Sequence, residues 1–224
     1  MESRPESSFQ TPMYRALLRS DRDIRQGIIK DIQARTGRKL IVYEANIRDP
    51  RSGIGEEDVL LFADLLDDLL PEQDIDLLLQ SPGGDVDVAE KIVYMCRQSA
   101  RGFRVIVPEY AKSAATLIAL ASDEVVMGFT SELGPIDAQI FLPGPGGAIF
   151  QTSAQSYLDA FERIKEEVKE VEFFPPAYMP ILEGFNIGFF EMCRNAIDRS
   201  RNFAEKWLKK YMLKDNPKKA EALA

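Results

Sequence analysis

The run Ile75 to Gln80 (IDLLLQ) passes without a spacer into Ser81-Pro82-Gly83-Gly84, and these four residues open into a helix-forming stretch ending at Ser99. A short, almost continuous apolar run reads as a strand buried on both faces, the kind found in parallel sheets. Parallel neighbours require a crossover, so the helix must carry the chain back over the sheet. The unit then recurs. Phe103 to Pro108 (FRVIVP) is a second strand, Glu109 to Ser113 (EYAKS) a short polar loop, Ala114 to Ser122 (AATLIALAS) a small-residue apolar helix, and Glu124 to Met127 (EVVM) a third strand. A chain alternating in this way folds as α/β with a mostly parallel sheet. Two of its turns, at Gly83-Gly84 and at Ser113, fall at the carboxyl ends of neighbouring strands, where ligands bind in such sheets.

The two turns offer complementary chemistry. Pro82 directs the chain out of the strand, and the glycines tolerate positive φ and close approach of another group to the backbone. Their amides can therefore point into a pocket. Ser113 sits where an extended segment enters a helix, with the Ala114 amide behind it, the arrangement of a nucleophile beside an oxyanion donor. Taken singly, SPGG is a tight turn and Ser113 a helix N-cap.

Three strings in this order, SPGGDVDVAEKIV, VPEYAKSAATLIALASDEVVMG and SELGPIDAQI, resemble the serine dehydrogenase proteinase family, relatives of the Clp protease proteolytic subunit and of signal peptide peptidase A. The resemblance spans roughly Leu40 to Ile140. It implies a Clp/crotonase-like fold of repeated ββα units with a mostly parallel sheet, here followed by a C-terminal helical extension, and it implies serine peptidase chemistry. By motif position Ser113 matches the nucleophile, and Gly83, Gly84 and Ala114 match the region supplying oxyanion donors. It calls for no cofactor and no metal. It also implies a peptide or unfolded-protein substrate and a homo-oligomer, and leaves open whether an unfoldase feeds the site.

The chain contains no histidine. A Ser-His-Asp triad, usual for the family, cannot form. The positions before SPGG and before YAKS, where relatives often carry histidine, are Gln80 and Glu109. A serine needs an adjacent base at neutral pH, and lysine is the usual substitute. Lys112 is the nearest in sequence, although neighbouring side chains of an extended segment point in opposite directions. Lys165, bordering the apolar stripe Tyr157, Phe161, Ile164 and Val168 of a helix capped by Ser153, is the second candidate, and signal peptide peptidase A likewise takes its lysine from a segment distant from the serine. Taken alone, each lysine reads first as a surface residue. Asp137, after the Gly134-Pro135 turn, is a candidate orienting acid or a cap of its own backbone.

The remaining segments divide the chain into an N-terminal helical segment (1–38), a core (39–172) and a C-terminal helical arm (173–224). Lys39 to Tyr43 reads as the first core strand, Asn46 to Gly55 as a plain connecting loop, and Glu56 to Leu70 as an amphipathic helix with Leu61, Leu65, Leu66 and Leu69 in its apolar stripe. Asp64, Asp67 and Asp68 read as a solvated face of that helix. Phe141 to Phe150, with its Pro and Gly residues, reads as a surface turn or hairpin. FFPPAYMP interrupts the helical pattern after Glu172, two helices follow (Ile181 to Cys193, Asn195 to Leu213), and the tail after Lys214 is expected to fray. The arm's aromatics, Phe173, Phe174, Phe185, Phe189, Phe190 and Trp207, call for burial on the core or on a second subunit.

A net charge of −8 argues against general nucleic-acid binding. The longest apolar run, Ala114 to Ala121, is far short of the ~20 residues a transmembrane helix needs, and Met1 to Gln10 lacks the apolar stretch of a signal peptide. Cys96 and Cys193 read as reduced core residues, so the expected location is cytoplasmic. Three function classes fit: a Ser-Lys peptidase, a catalytically inactive scaffold or regulatory partner of the same fold, and a crotonase-type acyl-CoA enzyme.

Overall fold

A computed structural model describes residues 12–46, 49, 52–70, 72–143, 145–169, 176, 179 and 187–224. Its centre is a parallel sheet of four strands in the order β1 (Lys39–Glu44), β2 (Ile75–Gln80), β3 (Phe103–Val107), β5 (Glu124–Met127). Leu77 of β2 lies opposite Ile41 of β1 and Val105 of β3. One face of this sheet is sealed: Ile75, Leu77, Leu79, Phe103, Val105 and Val107 are buried to 1% exposure or less. They join Val88, Ala89, Ile92 and Val93 of α3 (Val86–Ser99) and the apolar side chains of α4 (Ala114–Leu120) in one core. Six successive residues of α4, Ala114 to Ala119, are buried. Alanine at three of those positions is what lets a helix sit so close to its neighbours.

A second layer follows from the ends of the strands. β4 (Tyr110–Ala111) pairs in parallel with β6 (Glu132–Leu133), and Ser81 bridges to Ala111. Strands β2 and β3 therefore continue into a short second ladder before their helices, so the EYAKS segment is partly strand where the sequence suggested loop. Asp85 caps α3 by accepting from the amides of Asp87 and Val88. At the other end of the sheet Asp76, wholly buried, accepts from Arg38 Nε (2.5 Å) and from Arg104 Nε and Nη2 (3.0 and 2.7 Å).

Helix α1 (Pro12–Thr36) ends at Gly37, which has a φ of 68° and whose amide donates to the Gln33 carbonyl (2.9 Å). Helix α2 (Glu56–Asp67) differs from its expected stripe. Phe62 and Leu66 are its buried side chains, whereas Leu61 and Leu65 are 59% and 46% exposed. The aromatic Phe62, unnoticed in a leucine-rich pattern, takes the central position against Tyr43.

Beyond the sheet, β7 (Gln139–Pro143) and β8 (Ile149–Ser153) form an antiparallel hairpin leading into α5 (Ala154–Lys169). Among the described residues from Ile187 onward, the arm is one continuous helix, α6 (Ile187–Lys210), followed by α7 (Pro217–Leu223). The two separate helices expected around Asn195 are thus a single one, since nothing between Ile187 and Lys210 breaks the 3.6-residue pattern. The tail is helical too, because Asn216 caps it and Ala220 is buried. Trp207, Phe203 and Ala204 of α6 belong to the main core, with Trp207 fully buried. Tyr157 and Phe161 of α5 pack on Phe189 and Phe190. The arm therefore covers its own core. Phe173, Phe174, Phe185 and the FFPP break lie outside the described residues.

Candidate functional site

Ser113 occupies a backbone conformation that an L-residue rarely adopts, φ 50° and ψ −121°. Such a state costs of order 1–3 kcal/mol and persists only where the surroundings impose it. Those surroundings are explicit. The Ser113 amide donates to the Pro135 carbonyl (3.2 Å), and its own carbonyl accepts from Leu117 (3.3 Å). One turn on, the buried Thr116 hydroxyl reaches both the Ala111 carbonyl (2.7 Å) and the Gly134 carbonyl (3.1 Å). The third sequence motif, through Gly134 and Pro135, therefore fixes the second.

The strained backbone turns the serine side chain out of the helix. It makes no capping bond, so the hydroxyl does not serve the helix end, and among the described residues it has no hydrogen-bond partner. Gly83 sits against it: a Cβ placed on Gly83 would lie 2.7 Å from Ser113 Cβ and 3.3 Å from the Ala114 nitrogen. Gly83 and Gly84 have φ of 107° and 147°, values that exclude other side chains. Gly84 is further bracketed by Ile54, whose amide donates to the Gly83 carbonyl (2.8 Å) and whose carbonyl accepts from Asp85 (2.9 Å). The segment Asn46 to Gly55, expected to be a plain connection, thus ends as a wall of the glycine turn.

The two glycine amides differ. Gly83 N–H donates to the Ser81 hydroxyl (3.1 Å), while the amides of Gly84 and Ala114 have no partner among the described residues. Ser81 is itself fully buried, and its main chain donates to Tyr110 O and accepts from Lys112 N (3.2 and 3.0 Å). It ties the glycine turn to the strand that ends at Ser113. The sequence reading passed over this residue. Its signal was a hydroxyl residue at the end of a fully buried strand, where an unsatisfied polar group is costly.

The ionisable candidates are placed apart. Lys112 lies flat across Gly134 and pairs with Glu132 (2.8 Å), on the far side of the chain from the Gly83 contact. Lys165 pairs with Glu162 of its own helix (2.6 Å) and stands 5.9 Å from the Phe161 ring. Asp137 is exposed, just past the Pro135 carbonyl that holds Ser113. Gln80 and Glu109, in the positions where relatives often have histidine, meet each other, Gln80 Nε2 donating to Glu109 Oε2 (3.3 Å). The structure thus brings Ser113, Gly83, Gly84 and Ala114 together and holds both lysines in ion pairs. Among the described residues no group of acidic or cysteine side chains is arranged to hold a metal ion, and no helix is long and apolar enough to cross a membrane.

Comparison with known proteins agrees with the motif reading. Residues 66–171 match the model of a family described as ClpP-like SDH-type serine proteinase. Two uncharacterized proteins of Methanocaldococcus jannaschii are similar, one 37% identical over 103 residues (46% of this chain, 32% of that protein) and one 44% identical over 69 residues (31% and 24%). The matches span a third or less of the length of these relatives. A solved structure of a membrane-bound stomatin-specific protease, in a mutant form, aligns with 58% of this chain and 61% of its own at 22% identity and a TM-score of 0.34.

Proposed function

We propose, from the membership of residues 66–171 in the ClpP-like SDH-type serine proteinase family, that this chain hydrolyses peptide bonds with Ser113 as the nucleophile. The observation that supports the reading best is the combination at one residue of a left-handed backbone and a hydroxyl that does no capping work. The Gly84 and Ala114 amides are the proposed oxyanion donors, because Gly83's is already engaged by Ser81. The hydroxyl adds to the scissile carbonyl, the negative charge on its oxygen settles between the two amides, and the leaving amine takes the proton that the serine gave up. Water then releases the acyl group by the same route.

With no histidine, the proton passes through a lysine. Lys112 is the better placed of the two: its ammonium reaches β6 beside the Gly134-Pro135 turn that fixes the serine, whereas the described contacts of Lys165 are with Glu162 and Phe161 on its own helix. Lys112 acts once its pair with Glu132 opens, and Asp137, two residues past the Pro135 carbonyl that holds Ser113, is the proposed acid to orient it. The substrate is a peptide or an unfolded protein. The free thiols of Cys96 and Cys193 support a reducing compartment such as the cytoplasm.

The ion pairing of both lysines also favours a second reading, a peptidase fold without turnover that serves as a scaffold. Hydrolysis of unfolded casein and of a peptide library across pH separates the two, comparing wild type with Ser113→Ala, Lys112→Ala, Lys165→Ala and Asp137→Ala. Activity rising toward alkaline pH, and lost in Ser113→Ala and Lys112→Ala, supports the peptidase. No cleavage and no reaction with a fluorophosphonate would rule out the peptidase, and binding of a CoA ester would then separate an acyl-CoA enzyme from the scaffold.

A further inference from the structure

A threonine inside a helix ordinarily returns its hydroxyl to a carbonyl three or four residues back on the same helix. Thr116 does not. It lies in the first turn of α4, and its Oγ1 reaches the Ala111 carbonyl (2.7 Å), five residues back and outside the helix, and the Gly134 carbonyl (3.1 Å), on a different segment of the chain. One hydroxyl carries one proton, so the two carbonyls share it and the shorter bond is to Ala111. The side chain is buried, at 4% exposure, where water does not compete for the bond.

The two carbonyls stand on either side of the serine turn. Ala111 ends β4, two residues before Ser113. Gly134 directly precedes Pro135, whose carbonyl accepts the Ser113 amide. The ladder that joins these segments is short. β4 and β6 pair over two residues each, and the Gly134 amide adds one bond to the Ala111 carbonyl (2.8 Å). Thr116 ties the carboxyl ends of both short strands to the start of a buried helix, closing a triangle of strand, loop and helix around Ser113.

Ser113 needs such a frame. Its φ of 50° is unfavourable for any residue with a Cβ, and a backbone of that kind relaxes unless its surroundings over-determine it. We propose that Thr116 is a positioning residue for Ser113: its hydroxyl clamps the segments before and beside the serine to α4, and so maintains the positive φ that holds the Ser113 side chain against Gly83 rather than on the helix end. The catalytic consequence rests on the reading of Ser113 as the nucleophile. The mechanical coupling between the two residues does not.

A double-mutant cycle in urea denaturation tests the coupling. Thr116→Val removes the hydroxyl at nearly constant shape, and it is made in wild type and in Ser113→Gly. In wild type the lost clamp also lets the strained serine relax, which returns part of the stability. Glycine occupies positive φ without strain, so there nothing is returned. The urea midpoint should therefore fall further on Thr116→Val in the Ser113→Gly background than in wild type. Equal falls, or a larger fall in wild type, overturn the proposal. Should Thr116→Val fail to fold by circular dichroism, Thr116→Cys, a weak donor, takes its place in both backgrounds. Fluorophosphonate labelling of Ser113 supplies the second readout: Thr116→Val should slow it by about tenfold to a hundredfold, the effect of displacing a reacting group, and Thr116→Ser, which keeps the hydroxyl, should restore it. Labelling of Thr116→Val at the wild-type rate overturns the positioning role. A wild type that does not label at all would instead defeat the nucleophile reading, and the cycle alone then decides whether Thr116 holds the serine backbone.

Discussion

Gly83 stands so close to Ser113 that a methyl group on the glycine would come within 2.7 Å of the serine Cβ and 2.8 Å of the Lys112 carbonyl oxygen. The glycine turn and the serine turn are two halves of one structure, and neither has room to be altered alone.

Gly83→Ala should therefore cut the fluorophosphonate labelling rate of Ser113 by about a hundredfold, the effect of displacing reacting groups by roughly an ångström. Gly146→Ala is the control. It also sits at positive φ, 68°, but nothing lies within 4 Å of its added methyl. That variant should lose some stability and label at the wild-type rate. Equal losses in the two variants would mean that backbone strain, not crowding of the serine, is responsible.

The strain at Ser113 predicts a trade between stability and chemistry. Ser113→Ala removes the hydroxyl but keeps a Cβ at φ 50°. Ser113→Gly removes both, so it should unfold at higher urea than Ser113→Ala by about 1 kcal/mol, although glycine usually destabilises relative to alanine. Neither should label. An alanine variant as stable as the glycine one would show that the turn relaxes when the hydroxyl is gone.

Asp76 is the buried centre of two guanidinium contacts, with Arg38 and Arg104. Asp76→Ala removes the buried carboxylate the two guanidiniums share, leaving Arg38 with Asp74 and Arg104 with Glu124, and should cost about 3 kcal/mol in urea denaturation. A double variant that also replaces Arg104 with methionine should recover part of the loss, since one of the two guanidiniums leaves with it.

Acid stability should depend on Asp74. The hydrogen bond from Arg101, helped by the charges of Arg101 and Arg38, holds its carboxyl below the ordinary value of 3.8. In the unfolded chain this group takes its proton first as pH falls. Its contribution is thus fully present above about pH 4 and is lost as pH drops through the lowered native value. Urea midpoints measured between pH 5 and pH 3 should fall more steeply for wild type than for Asp74→Asn. Parallel slopes would remove Asp74 from the acid response.

Much of this architecture was legible in the sequence because its strands are short, apolar and bounded by turn residues. IDLLLQ and EVVM are strands β2 and β5 residue for residue, and the helix after SPGG begins where its aspartate caps it. Three features were not legible, each for a physical reason. Tyr110 and Ala111 form a strand only because Glu132 and Leu133 pair with them from a distance, and such pairing leaves no local pattern. The α2 stripe misled because leucine occupies both its buried and its open sides, a pattern that periodicity alone reads as a single face. At the candidate site the serine and the glycines were apparent as turn residues. Which glycine amide faces inward was not, since that is decided by the hydroxyl of Ser81.

Helix α4, which Ser113 opens, is backed by α6 as well as by α3, and Arg97 of α3 stacks on Tyr211 at 3.4 Å while its guanidinium holds the Ala121 carbonyl at the end of α4. The scaffold of the serine turn is thus completed by residues nearly a hundred positions downstream. A chain still being made on the ribosome has its strands and its glycine turn well before Trp207 and Tyr211 emerge. The serine turn therefore lacks part of its backing until α6 and Tyr211 have been made.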